Sequence, residues 1–299
     1  MSKKGRILII DDSSLIQEMM AYFLNDEYEV KTASTGDEGI ALAGEFQPDL
    51  VISDINMPGR DGISTLLEIK KQVPNVRTAL MTSYEVENYI RLAKEHDIGN
   101  IITKTDPFNV EEVIHTVENL ITGERVFGLE NYLTEGTPII KRRIRTHQDM
   151  LETIDAIEAY LQPEKPMLCR LALDELISNA IWHAPVNPDG SQKYEKGSDI
   201  TLEDHEVVEV NYGKDNEKYG VSVIDSSGST SKQRLLEALD RQISGAGMED
   251  ISGRGTLMIR KILDRCIINI AVGKKTEIIV FNYYEKVYSG YKPLYINQL

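Results

Sequence analysis

Short apolar runs alternate with amphipathic stretches through the first 122 residues. The β-rich runs are Arg6 to Ile10, Tyr28 to Lys31, Leu50 to Ser53, Thr78 to Met81 and Asn100 to Thr103. After the first run, Leu15, Ile16, Met19, Met20, Phe23 and Leu24 recur at helical spacing. Val110, Val113, Ile114, Val117, Leu120 and Ile121 do the same after the last, so both stretches read as sheet-covering helices. Five strands separated by helices predict an α/β domain over residues 1–122, a doubly wound parallel sheet covered on both faces. Residues 123–136 mix turn formers (Gly123, Gly128, Gly136) with Phe127, Leu129, Tyr132 and Leu133 and read as an ordered connector.

From residue 137 to 299 the pattern changes. A strand around Ile139 to Ile144 precedes helices at about Gln148 to Leu161 and Pro166 to Trp182. Val207 to Tyr212 with Tyr219 to Ile224 reads as a hairpin, and so does Cys266 to Val272 with Thr276 to Asn282. Between the helices and the first hairpin, Pro185 to His205 reads as a surface insertion. This half is therefore α+β, helices over an antiparallel or mixed sheet in two layers. No internal repeat and no low-complexity tract occurs.

Composition narrows the function classes. The net charge is −15, and residues 1–122 hold 11 Lys or Arg against 21 Asp or Glu. Neither half is a basic surface, which argues against a nucleic-acid partner. Two cysteines, Cys169 and Cys266, are too few for a disulfide framework and read as core thiols. No run approaches the ~20 apolar residues of a membrane span, and the short apolar stretch near the start ends in Asp11-Asp12, unlike a signal peptide. A cytoplasmic protein without a membrane partner is expected.

The acids of the first half fall at strand ends. Asp11 and Asp12 follow the first strand and Asp54 the third, so all three face one crevice at the carboxyl edge of a parallel sheet. Three converging carboxylates repel one another unless a hard cation such as Mg²⁺ binds. Thr82 and Lys104 end the fourth and fifth strands and add a hydroxyl and an ammonium to the same rim. A carboxylate nucleophile beside Mg²⁺, with such groups ready for anionic oxygens, is a phosphoryl-accepting site.

These residues, with the run Asp54-Ile55-Asn56-Met57-Pro58-Gly59-Arg60-Asp61-Gly62, resemble the receiver domain of two-component response regulators, a five-stranded flavodoxin-like fold. The resemblance implies that Asp54 is the phosphorylated aspartate. It implies that Asp12, Asp54 and the backbone carbonyl of Asn56 hold Mg²⁺, with Asp11 reaching it through water. Thr82 and Lys104 would hold the phosphoryl oxygens. Two positions depart from the family: Ile101 stands where Tyr or Phe is usual, and Thr105 where proline is usual after the lysine. A cis bond before a non-proline costs about 2.5 to 4 kcal/mol, so a trans Lys104–Thr105 bond is predicted.

In the second half, Glu175, Asn179 and His183 stand at i, i+4 and i+8 on one helical stripe. Asp225 ends a strand, and Ser252-Gly253-Arg254-Gly255-Thr256 leads into a helix whose N-terminal amides face phosphate well. Together these residues resemble the Bergerat-type (GHKL) ATP-binding fold, and most of all the anti-sigma-factor serine kinases. The resemblance implies Glu175 as base or water-positioner, Asn179 as Mg²⁺ ligand, Asp225 as acceptor of the adenine amino group, and Gly228, Gly253 and Gly255 as ATP-binding glycines. Ser227 and Ser229 occupy two positions where the family commonly has glycine.

His147 reads as an exposed or capping histidine, because a histidine-kinase phosphoacceptor needs a hairpin of two long helices before the ATP domain and only 32 positions separate His147 from Asn179. His183 reads as a helix-end residue, and Lys141-Arg142-Arg143-Arg145 as a solvated face or a contact with the acidic domain. The terminal tyrosines Tyr283, Tyr284, Tyr288, Tyr291 and Tyr295 read as packing on the second domain. The expectation is a response regulator phosphorylated on Asp54 by a cognate histidine kinase or phosphotransfer protein, controlling an ATP-binding output domain with serine/threonine kinase chemistry in prospect. A sigma-factor-pathway protein is one partner that the resemblance implies, and homodimerisation is another. The alternative is a non-enzymatic switch whose second domain docks a protein without using ATP.

Overall fold

The computed structural model describes residues 3–187, 189–195, 197–245, 254–285 and 288–299, with the side chains of Arg254 and Thr256 left aside. The chain divides into two compact units. The first comprises Met1–Arg125 with Tyr288–Tyr295, and the second Val126–Val287 with Ile296–Leu299.

In the first unit β1 (Arg6–Ile10), α1 (Ser14–Leu24), β2 (Glu29–Ala33), α2 (Gly36–Phe46), β3 (Leu50–Asp54), α3 (Gly62–Gln72), β4 (Arg77–Thr82), α4 (Ile90–Glu95), β5 (Asn100–Thr103) and α5 (Val110–Thr122) alternate. The strands pair in parallel in the order β2-β1-β3-β4-β5, a flavodoxin-like sheet whose order reverses between β1 and β3. Ile7 to Ile10 and Leu50 to Asp54 are buried on both faces, as continuous apolar strands require when helices cover the sheet. α1 packs beside α5, and α2 beside α3. Helix starts are set by side chains: Thr35 accepts the Glu38 N–H, Asp61 the Ser64 N–H and Asn109 the Glu112 N–H. The α1 stripe is narrower than its periodicity predicts. Met20 and Leu24 are buried, whereas Leu15 is 71% and Phe23 43% exposed.

The second unit holds β6 (Ile140–Ile144), α6 (His147–Leu161), α7 (Pro166–Ser178), β7 (Val208–Lys214), β8 (Lys218–Asp225), α8 (Lys232–Ile243), α9 (Arg254–Ile262), β9 (Arg265–Ala271) and β10 (Lys275–Tyr283). Its strands run antiparallel throughout, in the order β9-β10-β8-β7-β6. α7 packs against both α6 and α9, and α8 against α9. Thr146, rather than His147, caps α6 in a reciprocal capping box with Asp149, and His147 is its exposed first residue. Lys141, Arg142 and Arg143 lie exposed on the edge strand β6, where charge discourages further strand pairing.

Residues 126–133 pack on this second sheet. Val126, Leu129, Tyr132 and Leu133 are buried, the Val126 carbonyl accepts from Asn269 Nδ2, and the Gly128 N–H donates to Glu277 Oε2 at 2.8 Å. Alternation along β8 and β10 puts Ser222 and Glu277 on this side and Val223, Asp225, Thr276 and Ile278 on the opposite one.

The tail departs from the sequence reading, which attaches it wholly to the second domain. Leu294 and Tyr295, which open β11 (Leu294–Gln298), pair antiparallel with Ile101 and Asn100 of β5, inside the first unit. Tyr295 Oη donates to Glu112 Oε1 at 2.7 Å on α5. Among the described residues, no helix is long and apolar enough to cross a membrane.

Candidate functional site

The carboxyl edge of the parallel sheet gathers the predicted residues. Asp11 and Asp12 follow β1, Asp54 closes β3, Thr82 closes β4 and Lys104 follows β5. One oxygen from each of Asp11, Asp12 and Asp54 lies within 4.8 Å of the others. Asp11 and Asp54 are buried and Asp12 is exposed. Lys104 Nζ stands 2.8 Å from Asp11 Oδ2 and 3.1 Å from Asp54 Oδ1. Burial pushes the Asp54 carboxyl above its ordinary range; the Lys104 ammonium opposes that, and the charges of Asp11 and Asp12 add to it.

The surrounding backbone explains why these residue types stand there. The Ser13 N–H donates to Asp11 Oδ1 at 3.0 Å, fixing the carboxylate over the end of β1. The Lys104 N–H donates to the Thr82 carbonyl at 2.8 Å, tying the β4 and β5 ends together, and the Thr82 hydroxyl accepts the Tyr84 N–H at 3.0 Å. Asn56 is exposed, and its side-chain Oδ1 accepts from Tyr89 Oη at 2.7 Å. A Cβ at Gly62 would lie 2.0 Å from the Asp54 carbonyl oxygen, so only glycine lets α3 start against the end of β3. The Lys104–Thr105 bond is trans as expected, and among the described residues the cis bond is Asp106–Pro107.

Three carboxylates facing one ammonium leave an uncompensated charge in a partly buried cleft. Their all-oxygen donor set fits a hard divalent cation such as Mg²⁺. Sequence reasoning missed Ser13, Tyr89 and the tail segment beside Lys104. Ser13 carries the local signal of a residue following two acids, whereas the other two reach the site through non-local packing.

The second unit contains a cavity of about 440 Å³. Asn179, His183, Asp225, Arg234, Gly255 and Thr276 line it. Glu175 belongs to the same cluster: its Oε1 accepts from Asn179 Nδ2 at 3.1 Å, and a Cβ at Gly255 would lie 2.1 Å from that oxygen. The helical stripe does not run on unchanged through His183. α7 ends at Ser178, and Asn179–His183 form a π-helical turn in which the Ala184 N–H donates to the Asn179 carbonyl. Wide turns of this kind recur where helices serve binding sites.

Gly228 is placed differently from the expectation. Its φ is +54°, and a Cβ there would lie 2.4 Å from the Lys274 backbone nitrogen and 2.7 Å from the Ala271 carbonyl oxygen. It seats the β8 end on the β9–β10 turn instead of lining the cavity. Gly253 lies outside the described residues. Burial raises the Asp225 carboxyl, against the Ser227 N–H and hydroxyl and the Gly228 N–H, all of which donate to its Oδ1. The Ser229 hydroxyl donates to the Ala184 carbonyl at 3.1 Å. Cys169 and Cys266 are buried, and burial pushes each thiol up to about 11, as inert core thiols require.

Comparison with known proteins bears on the first unit. The family described as "Response regulator receiver domain" matches residues 7–118. The Bacillus subtilis (strain 168) protein named "Probable C4-dicarboxylate response regulator DctR" is 35% identical over 119 residues, covering 39% of this chain and 52% of that one. Response regulator protein VraR of Staphylococcus saprophyticus is 25% identical over 146 residues, 48% of this chain and 66% of its own. A solved receiver domain from Clostridium thermocellum is 30% identical, covers 40% of this chain and 97% of that one, and superposes with a TM-score of 0.37. The chain spans about half the length of DctR and just under two thirds of VraR. With the acidic cleft, the strand order and the family match falling on the same segment, residues 7–118 are a two-component response regulator receiver domain.

Proposed function

We propose that the chain is a response regulator that accepts a phosphoryl group on Asp54 and so controls an ATP-binding, anti-sigma-kinase-like second domain. The observation that carries the first part is the Asp11–Asp12–Asp54 cluster faced by Lys104. A carboxylate oxygen of Asp54 attacks the donor's phosphorus, and the leaving group departs with the electron pair of its bond to phosphorus. The donor is a phosphohistidine on a cognate histidine kinase or phosphotransfer protein. Lys104 moves its ammonium from the carboxylate to a phosphoryl oxygen, and the Thr82 hydroxyl donates to another. Asp12, Asp54 and the Asn56 carbonyl would hold Mg²⁺, with Asp11 reaching it through water, and the cation would supply positive charge against the phosphoryl oxygens.

The cavity supports the second part. Its volume falls in the range of small-molecule sites, and Asp225 would accept an exocyclic amino group, Asn179 would hold Mg²⁺ and Glu175, hydrogen-bonded to Asn179, would act as the base. Acetyl phosphate with Mg²⁺ is expected to label the wild type and not Asp54→Ala; equal labelling of both would overturn the phosphoacceptor reading. A second reading has its own support, because Asp225 Oδ1 already accepts the Ser227 N–H and hydroxyl and the Gly228 N–H. On that reading the second domain docks a protein and ignores ATP. Calorimetry with ATP and Mg²⁺ separates the two: heat from wild type that Asn179→Ala abolishes supports the nucleotide site, and no heat from wild type supports the docking module.

A further inference from the structure

The segment 288–295 lies in the receiver unit, while the chain on either side of it belongs to the second unit. It sits on the loop that carries Lys104. The Asp106 N–H donates to the Ser289 carbonyl at 2.8 Å, the Ser289 N–H donates back to the Asp106 carbonyl at 2.9 Å, and the Ser289 hydroxyl donates to that same carbonyl at 2.9 Å. Gly290, at φ +136°, lies over Thr105, where a Cβ would come within 3.4 Å of the Thr105 Cα and 3.7 Å of the Lys104 carbonyl oxygen. Leu294 and Tyr295 are buried and continue the segment as a strand on the β5 edge. One short piece of tail is therefore bonded to Asp106 and lies against the backbone of Thr105 and Lys104.

We propose that residues 288–295 are a phosphorylation-sensitive strap, docked on the β5 edge and the Lys104 loop, that passes the state of Asp54 to the second unit along the chain itself. The inference rests on Asp54 being the phosphoacceptor. In the unmodified state Lys104 Nζ is bonded to both Asp11 and Asp54, and the backbone of its loop is bonded to Ser289. A phosphoryl group on Asp54 draws the ammonium to a new position, and the next two residues move with it. Past the bond from the Lys104 N–H to the Thr82 carbonyl, the paired Asp106 and Ser289 amides are the next backbone bonds along the loop in the path of that movement. Because both flanks of the strap are covalently continuous with the second unit, loosening it changes the constraint on that unit however the two units are arranged. Coupling of this kind is reciprocal: if phosphorylation loosens the strap, loosening the strap favours the phosphorylated state.

The test uses the full chain and beryllofluoride with Mg²⁺ as a phosphoryl mimic. Fluorine NMR reports its binding to wild type and its absence from Asp54→Asn, while amide hydrogen exchange reports the strap. Loss of one ordinary backbone bond corresponds to about fivefold, so exchange at Asp106 and Ser289 is expected to quicken by about that factor when the mimic binds. Ser289→Pro removes both donors to the Asp106 carbonyl, and Gly290→Val forces a side chain into a glycine conformation. Each is expected to tighten beryllofluoride binding about fivefold by the same reasoning, although neither touches the acidic cleft. A merely structural segment would leave that affinity unchanged. If the mimic binds and exchange at Asp106 and Ser289 stays as it was, or if both variants bind it as wild type does, the strap is overturned and the phosphoacceptor reading stands. If wild type shows no Asp54-dependent binding, the phosphoacceptor reading fails and the strap falls with it.

Discussion

Gly62 shows how little room the receiver leaves around its reactive residue. A methyl group there would sit 2.0 Å from the Asp54 carbonyl oxygen and 2.9 Å from Ser53 Oγ, and the Asp54 oxygen is backbone that cannot swing aside. Gly62→Ala is therefore expected to lower stability by about 2 kcal/mol, read from urea unfolding, and to slow labelling of Asp54 by acetyl phosphate. The charged residues of the site were legible without coordinates, because parallel strands put their carboxyl ends at one edge and acids directly after strands must meet there. Asp11, Asp54, Thr82 and Lys104 needed only strand assignments to be brought together. Gly228 could not be placed that way. Its positive φ serves a turn against Gly273 and Lys274, and a glycine motif alone does not tell a ligand contact from a chain contact.

At the scale of elements, two buried or half-buried acids give opposite pH responses. Asp215 closes the β7–β8 hairpin by accepting the Thr134 N–H and hydroxyl and the Glu217 and Lys218 N–H groups. Burial works against this carboxylate, but the backbone donors outweigh it and hold its pKa below the ordinary 3.8. Its contribution is present above that value and is lost as pH falls through the lower folded one. Asp215→Ala is expected to cost about 1 kcal/mol at pH 7, and the gap between variant and wild type should close in strong acid, as thermal melts would show. Glu277 behaves in reverse. Burial on the connector face raises its carboxyl, against the Ser222 hydroxyl and the Gly128 N–H. A folded pKa above the unfolded one means that stability falls as pH rises between the two. Glu277→Gln removes the charge: its amide oxygen still accepts the Gly128 N–H, and its amide nitrogen donates to the Ser222 hydroxyl oxygen, so its melting point should exceed that of wild type at pH 8 and converge with it near pH 4.

Most elements were readable from apolar spacing, since the five receiver strands and both hairpins fall within a few residues of their predicted positions. β11 was not, because Leu294 to Gln298 is short and nothing within it says that its partner is Ile101, far back along the chain. The exposed side of α1 was misread for a related reason. Helical spacing identifies an apolar stripe but not whether a neighbour covers all of it.

For the whole molecule, the domain assignment changes most at the tail. Leu294 is buried in the receiver unit opposite Ile101, so Leu294→Asp is expected to destabilise that unit by about 3 kcal/mol, seen as faster amide exchange in β4 and β5. An effect confined to the second unit would contradict the placement. The net charge of −15 also acquires a partial explanation, since three of its acids form the acidic cleft faced by Lys104. Charge alone could not have located them, because most of the other acids are exposed. The central claim is that the phosphoryl state of Asp54 governs nucleotide binding elsewhere in the same chain. Its most direct test is calorimetry of ATP and Mg²⁺ on the full chain, with and without beryllofluoride, for wild type and Asp54→Asn. The account predicts that the mimic changes ATP affinity in wild type and has no effect in the variant; identical affinities in all four samples, or no ATP binding in any, would contradict it.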